Sequence, residues 1–288
     1  MDTIQGYTIE EIPFLKMLSL MLDIPWLQLK SKEVVELYNF CDTTAQQDLI
    51  VSLLRRFIHI NSSKLEQMGL DISSHVVNNW KLTFDKTLFI AIADEKKDEL
   101  DGSQAYLNSL KNKFDDNWTR DNFVKSIGIG YHNIQDRQTA ILFDDFIGSG
   151  ETIKRQYLWF KNKMADIGKP NVEIKIVSYA IMESVYYNLI SDGIVIYSPL
   201  KIKKGISEYE GYNDVQKTES LKLMLDLEDK LEDTIKNIKL KNYSLGYGLS
   251  ESIYAVEGYN ISDNVFPVFW WPEEKKKSKR RTLFRRLN

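Results

Sequence analysis

Residues 140–153 read Ala-Ile-Leu-Phe-Asp-Asp-Phe-Ile-Gly-Ser-Gly-Glu-Thr-Ile and gather several reactive groups in one short stretch. Asp144 and Asp145 are adjacent carboxylates. Gly148, Ser149, Gly150, Glu151 and Thr152 follow as a tight small-residue turn. Glycines let a backbone close around an anion with no Cβ in the way. N–H groups at a helix start converge on one place, where the helix end adds partial positive charge. Ser149 and Thr152 add hydroxyl donors. The turn is therefore a candidate phosphate cradle. Carboxylates alone would repel a phosphate, so their presence implies a ligand that also carries hydroxyls or a divalent cation. A ribose 5-phosphate meets that requirement: the turn holds the phosphate and the carboxylates accept from the ribose hydroxyls. Asp144 and Asp145 are equally candidate ligands for Mg²⁺ on the ribose or on a pyrophosphate. No Gly-Lys-Ser/Thr follows, which excludes an ATPase-type P-loop, and the acidic pair precedes the turn, which excludes a dinucleotide fingerprint.

The elements around this stretch must position it. The apolar run 140–143 is long enough for a buried strand and too short for a helix. A helix is expected over 152–167, with Tyr157, Phe160 and Met164 on one face and Gly168-Lys169-Pro170 as its stop. Upstream, 87–93 is a β-branched and aromatic run. It ends in Asp-Glu-Lys-Lys-Asp-Glu at 94–99, and a helix is expected over 103–113. A second strand is expected over 123–131, with Lys125 and His132 exposed. A strand over 172–181, a helix over 184–190 and a strand over 194–197 complete the series. Strand and helix thus alternate from 87 to 198, the signature of an α/β fold with a parallel sheet flanked by helices. In such sheets ligands bind at the carboxyl ends of the strands.

Residues 1–80 read as helices, the clearest over 43–60 with Leu49, Ile50, Leu53, Leu54 and Phe57 in one stripe. Arg55 and Arg56 beside it are either a patch for phosphate or nucleic acid or part of a solvated face. After Pro199 come a polar loop over 201–214 and an amphipathic helix over 220–240, suited to a homo-oligomer or partner contact or to packing on the body. Short strands around 253–256 and 265–270 follow, in a segment rich in aromatic residues. The expected organisation is a helical block (1–84), an α/β core (85–200), a helical insertion with a closing segment (201–272) and a basic tail (273–288).

With 43% hydrophobic and 27% charged residues, the 288-residue chain has the composition of a globular protein with a full core. Its single cysteine, Cys41, excludes an intramolecular disulfide or multi-cysteine metal site. No basic leader opens the chain and no apolar run is long enough to span a bilayer, so a cytoplasmic location without membrane contact is expected. The net charge of −3 conceals an asymmetry: residues 275–288 hold eight Lys and Arg and no acid, and without them 30 basic residues face 41 acidic ones. A basic tail on an acidic body suggests a polyanionic partner such as nucleic acid or a ribonucleoprotein.

The stretch 140–152 closely resembles the phosphoribosyl-diphosphate (PRPP) loop of type I phosphoribosyltransferases: four apolar residues, two acidic, two apolar, a small residue or Asp, Thr or Ser, Gly, any residue, Thr. The resemblance implies that Asp144 and Asp145 bind the ribose hydroxyls and could stabilise charge on the ring, that Gly148 to Thr152 bind the 5-phosphate, and that Mg²⁺ accompanies the ligand. It also implies a pyrophosphate loop after the first strand. That loop usually carries Gly and a basic residue; here Lys96 and Lys97 stand among four acids, and Gly102-Ser103 at the next helix start is an alternative anion site. A hood with an aromatic residue over the nucleobase is implied too, a role open to Trp270 or Trp271 beside simple core closure. Several family members carry an acid where this chain has Gly148, so a proton acceptor would come from Glu151, His132 or the substrate. The wider layout is similar to a divergent branch found in bacterial conflict and anti-phage loci, including retron-associated effectors. It rests on the N-terminal helices, the motif, and a Gly246-Tyr247-Gly248 segment followed by a close from Asn264 to Trp270. Three functions stay open: phosphoribosyl or glycosyl transfer, a non-catalytic sensor of PRPP or a nucleotide, and a nucleic-acid-associated scaffold using the tail.

Overall fold

The structure of the chain is a computed structural model that describes residues 11–92, 102–134, 136–275 and 278–286. It divides into two compact units. One is Met1–His59 with Gly205–Asn288, and the other is Ile60–Lys204. The chain thus opens and closes in the first unit, with the second inserted between its two pieces. Residues 60–84 thus fall in the same unit as the sheet, and 205–288 in the same unit as the first helices.

The first piece of the discontinuous unit carries α1 (Glu11–Asp23), α2 (Pro25–Gln28), α3 (Ser31–Asn39) and α4 (Thr44–Arg56). Thr43 caps α4 by accepting the Gln46 N–H at 3.2 Å. The helix stops four residues short of the expected end, because Ile58–Ile60 form β1; the Ile58 N–H donates to the carbonyl of Ile253.

In the inserted unit, α5 (Ser62–Ser74) precedes β2 (Thr87–Ala91), α6 (Gly102–Lys111), β3 (Phe123–Val124), α7 (Ile127–Asn133), β4 (Thr139–Ile147), α8 (Glu151–Asp166), β5 (Glu173–Met182), α9 (Glu183–Ser191), β6 (Val195–Tyr197) and β7 (Leu200–Ile202). The strands form a parallel sheet in the order β3-β2-β4-β5-β6, with β7 pairing the far end of β5. Strands buried on both faces need the near-continuous apolar runs that the sequence supplies. On one face Phe160 and Met164 of α8 join Ile127 of α7 and Leu189 of α9 over Leu88, Ile90, Leu142 and Ile176. On the other, the Tyr106 ring of α6 and the Phe143 ring meet Tyr179, and α5 lies against β5, with the Tyr179 hydroxyl close to Gly69.

The strand expected over 123–131 is corrected: only Phe123–Val124 is extended, and Ser126 starts α7 by accepting the Ile129 N–H at 3.3 Å. Alternating Ile and Gly at 127–130 fits either period. The helix wins because Gly130 can lie against Ile90, where a Cβ would come within 2.7 Å.

The second piece of the discontinuous unit holds α10 (Asp214–Glu228), the hairpin β8 (Thr234–Ile235) and β9 (Ile238–Lys239), then β10 (Tyr254–Val256), β11 (Glu273–Glu274) and β12 (Ser278–Lys279). The helix expected over 220–240 is therefore corrected. It begins earlier, at a reciprocal cap between Asn213 and Gln216, and gives way to the hairpin, whose turn residues Lys236 and Asn237 have φ of 46° and 70°. The strand expected around 265–270 is a 3-10 turn, Pro267–Phe269. Trp270 and Trp271 are fully buried in this unit's own core with Phe266 and Phe269.

The basic tail is docked on the body at several points. Leu283 is buried, Phe284 stacks on Phe57, the Arg280 guanidinium lies 4.2 Å from the Phe40 ring centre, and Arg286 pairs with Asp263 at 2.8 Å. Leu283 and Phe284 set among the basic residues are what dock the segment. Arg55 pairs with Asp23, and Arg56 donates to the Gly205 carbonyl at 2.7 Å while its guanidinium sits 3.7 Å from the Tyr209 ring centre. Both arginines are held by the fold, not presented as a patch.

Glu228 ends α10 almost fully buried, accepting from the Ser244 hydroxyl at 2.6 Å and the Leu245 N–H at 3.0 Å. Burial pushes its carboxyl up to about 7 from 4.5, against the opposing pull of those two donors. The folded state then holds this proton more tightly than the unfolded chain, so its stability falls as pH rises between about 4.5 and 7. Relative to Glu228→Gln, the wild type should lose about 3 kcal/mol across that window. Urea unfolding of both proteins at pH 5 and pH 8 checks this; parallel behaviour would show that the carboxylate stays ionised throughout.

Candidate functional site

The acidic pair lies on β4, which runs four residues beyond the expected end at 143, through Ile147. Pairing with β2 stops at Ala91↔Phe143, whereas pairing with β5 continues through Asp144↔Ser178 to Ile147↔Ile181. The chain leaves β2 for β3 on one side and leaves β4 for β5 on the other. The carboxyl ends of β2 and β4 therefore flank a switch point, where connections diverge and open a crevice. Asp144 and Asp145 stand at that switch point, both half-buried.

Successive strand residues face opposite sides of a sheet. Asp145 shares its side with Ile141 and Phe143, towards α6. Asp144 shares its side with Ala140 and Leu142, towards α7 and α8. The Asp144 carboxylate accepts the Asp145 N–H at 3.0 Å. The Asp145 carboxylate lies against Gly102 at the start of α6: a Cβ there would stand 3.0 Å from Oδ2 and 3.1 Å from Oδ1. Ser103, the next residue, is fully buried. The helix start considered as an alternative anion site thus has a carboxylate of the chain itself beside it. Lys96 and Lys97 lie outside the described residues.

The turn follows directly. Gly148 and Gly150 are buried, Ser149 is half-buried, and Glu151 and Thr152 are exposed in the first turn of α8. Gly150 caps the helix with φ 79°, a left-handed conformation that glycine adopts without strain. A Cβ there would also stand 2.6 Å from Cγ1 of Val185 on α9. Two constraints therefore fix one residue. The Ser149 hydroxyl accepts the Glu151 N–H at 3.4 Å, and the Gly150 carbonyl accepts from Lys154 at 3.0 Å. Sixteen residues of α8 direct their dipole at this turn.

Beyond β5, two lysines take partners on α9. Lys201 on β7 lies 4.0 Å from the Tyr186 ring centre of α9, and Lys203 approaches Glu183 at 4.0 Å. Gly102 was considered only as a donor; that it makes room for Asp145 is a tertiary fact. His132 is exposed on the last turn of α7, which leads back to the amino end of β4, away from the carboxyl-end crevice. Trp270 and Trp271 lie in the core of the other unit and are closed to a ligand. Among the described residues no group of three or more His, Cys, Asp or Glu side chains is assembled for a metal, and no helix is long and apolar enough to cross a membrane.

A family model described as PRTase-CE matches residues 36–286. No curated protein and no solved structure matches the chain.

Proposed function

The chain belongs to the PRTase-CE family and is a phosphoribosyltransferase-like protein; from that premise we propose that it binds a ribose 5-phosphate ligand, PRPP or a nucleotide, and catalyses phosphoribosyl or glycosyl transfer. What carries the reading is a small-residue turn at a helix start, directly after an acidic pair, at the switch point of a parallel sheet. Backbone N–H groups of the turn and the Ser149 and Thr152 hydroxyls bind the phosphate. Asp144 and Asp145 accept from the ribose hydroxyls. As the bond at C1 breaks, the ring gains positive charge, and carboxylates already fixed nearby stabilise it without reorganising. Holding the sugar and the incoming group in line contributes the rest.

Two carboxylates, with no third acidic or histidine ligand assembled beside them among the described residues, suit Mg²⁺, which is commonly held by one or two carboxylates together with substrate phosphates and water. Such a cation would neutralise the leaving diphosphate. With Gly148 in place of an acid and His132 away from the crevice, proton acceptance falls to Glu151, exposed on the first turn of α8, or to the substrate.

The test is thermal unfolding with Mg²⁺-PRPP, ribose 5-phosphate and nucleoside monophosphates, followed by a turnover assay with whichever ligand raises the midpoint. No rise with any of them would sink the reading. Gly148 favours one other function on the same pocket: a rise without turnover would make the protein a sensor. Resemblance to conflict-associated proteins extends the proposal to anti-phage defence. Protection in a phage plating assay should be lost in Asp145→Asn. For nucleic acid, Lys275, Lys279, Arg281 and Arg285 remain exposed, and their use would appear as affinity falling steeply with salt.

A further inference from the structure

Ser178 lies beside the first carboxylate of the acidic pair, on the neighbouring strand. It is the register partner of Asp144, and it is fully buried. Its hydroxyl has no hydrogen-bond partner among the described residues. A buried hydroxyl left unpaired costs about 1–3 kcal/mol, and buried polar groups generally find partners. Its surroundings narrow the choice. The pleat of β5 places Ile176 and Ala180 on the same side, and neither offers a polar side chain. On the far side of β5, β6 pairs as far as Val177 and β7 pairs from Ala180, so neither strand supplies a register partner for Ser178. Towards β4 the neighbour is Asp144, one strand spacing (about 4.8 Å) away and on the same side. A carboxylate can accept from several donors at once, and the Asp145 N–H is one of them here.

We infer that Ser178 is a positioning residue for Asp144: its hydroxyl donates to the Asp144 carboxylate when the sugar hydroxyls engage that carboxylate, and so fixes its orientation. Hydrogen bonds of this kind are often long in the absence of substrate and tighten in the complex. The inference rests on the ribose-phosphate reading of the site and adds a residue that the acidic pair and the turn do not contain.

The experiment is thermal unfolding of wild type, Ser178→Ala, Asp144→Asn and the double variant, each with and without Mg²⁺-PRPP and ribose 5-phosphate. Without ligand, Ser178→Ala should unfold at or above the wild-type temperature, because it removes an unpaired buried hydroxyl. With ligand it should bind about tenfold more weakly, the loss of one charge-assisted hydrogen bond. In the Asp144→Asn background the same change should add little, since residues acting through one another are not additive. A Ser178→Ala protein that unfolds early without ligand would show a structural partner for the hydroxyl and overturn the inference. So would undiminished binding by Ser178→Ala when the wild type binds. If the wild type binds neither ligand, the ribose-phosphate reading falls and this inference falls with it.

Discussion

Asp145→Asn should abolish most of the stabilisation that Mg²⁺-PRPP gives the wild type. A ligand at 100 times its dissociation constant raises the unfolding free energy by about 2.7 kcal/mol. Hydrogen bonds to a charged group contribute about 1.5–3 kcal/mol each, so losing the charge at a carboxylate that accepts from ribose weakens binding roughly a hundredfold. At the same ligand concentration the variant would gain only about 0.4 kcal/mol. Asparagine keeps the shape that packs against Gly102. It gives up a negative charge beside the α6 N-terminus, worth about 0.3–1 kcal/mol. The variant without ligand should therefore unfold slightly early and respond to ligand hardly at all. Equal ligand shifts in variant and wild type would remove Asp145 from the site.

Gly150→Ala should be among the most damaging single changes in the inserted unit. A left-handed residue other than glycine costs about 1–2 kcal/mol. A methyl group 2.6 Å from Val185 Cγ1 forces a displacement of the turn or of α9, and overpacking of this kind costs about 1–3 kcal/mol. Together these predict a loss of about 2–5 kcal/mol. The two causes separate experimentally. Adding Val185→Ala relieves the overlap and leaves the backbone conformation strained, so the double variant should recover part of the loss after allowance for Val185→Ala alone. Denaturant unfolding of the four proteins measures this. Wild-type stability in Gly150→Ala would mean that the turn has another geometry available. Where the variant still folds, it should bind phosphate-bearing ligands poorly, because the helix start has moved.

Much of the inserted unit was legible in the sequence, because parallel strands announce themselves as apolar runs and the turn residues are chemically conspicuous. The acidic pair stands out by residue type alone, but that β4 extends beyond its pairing with β2 and stays paired to β5 follows only from strand register. Residues 123–131 misled because Ile and Gly alternate there, and the deciding contact, Gly130 against Ile90, joins residues far apart in sequence. The stretch 220–240 misled for a different reason: apolar residues of a helix and of a short hairpin happened to fall on one helical period, and the Lys236-Asn237 turn lacks glycine. The tail misled through its charge. Composition weighs every residue of 275–288 alike, but Leu283 with its ring neighbour Phe284 decides where the segment goes. Segment boundaries near 84 and 200 rested on changes of pattern, which do not show that chain pieces at opposite ends share a core.

That shared core gives the protein a particular order of events during synthesis. When residue 204 has emerged from a ribosome, every strand and helix of the inserted sheet is present, but only the first piece of the other unit exists. The apolar stripe of α4 and the Phe57 ring are made early, and Phe269 and Leu283, which share their core, are made last. At about 5–20 residues per second, the residues from 205 to 288 take on the order of 4–17 s. For that time the nascent chain carries a folded sheet unit behind an incomplete, sticky amino-terminal piece. Yield in a cell will therefore depend on translation speed and chaperone supply, and a ribosome stalled after residue 204 leaves a fragment with the acidic pair, the turn and an exposed half-core.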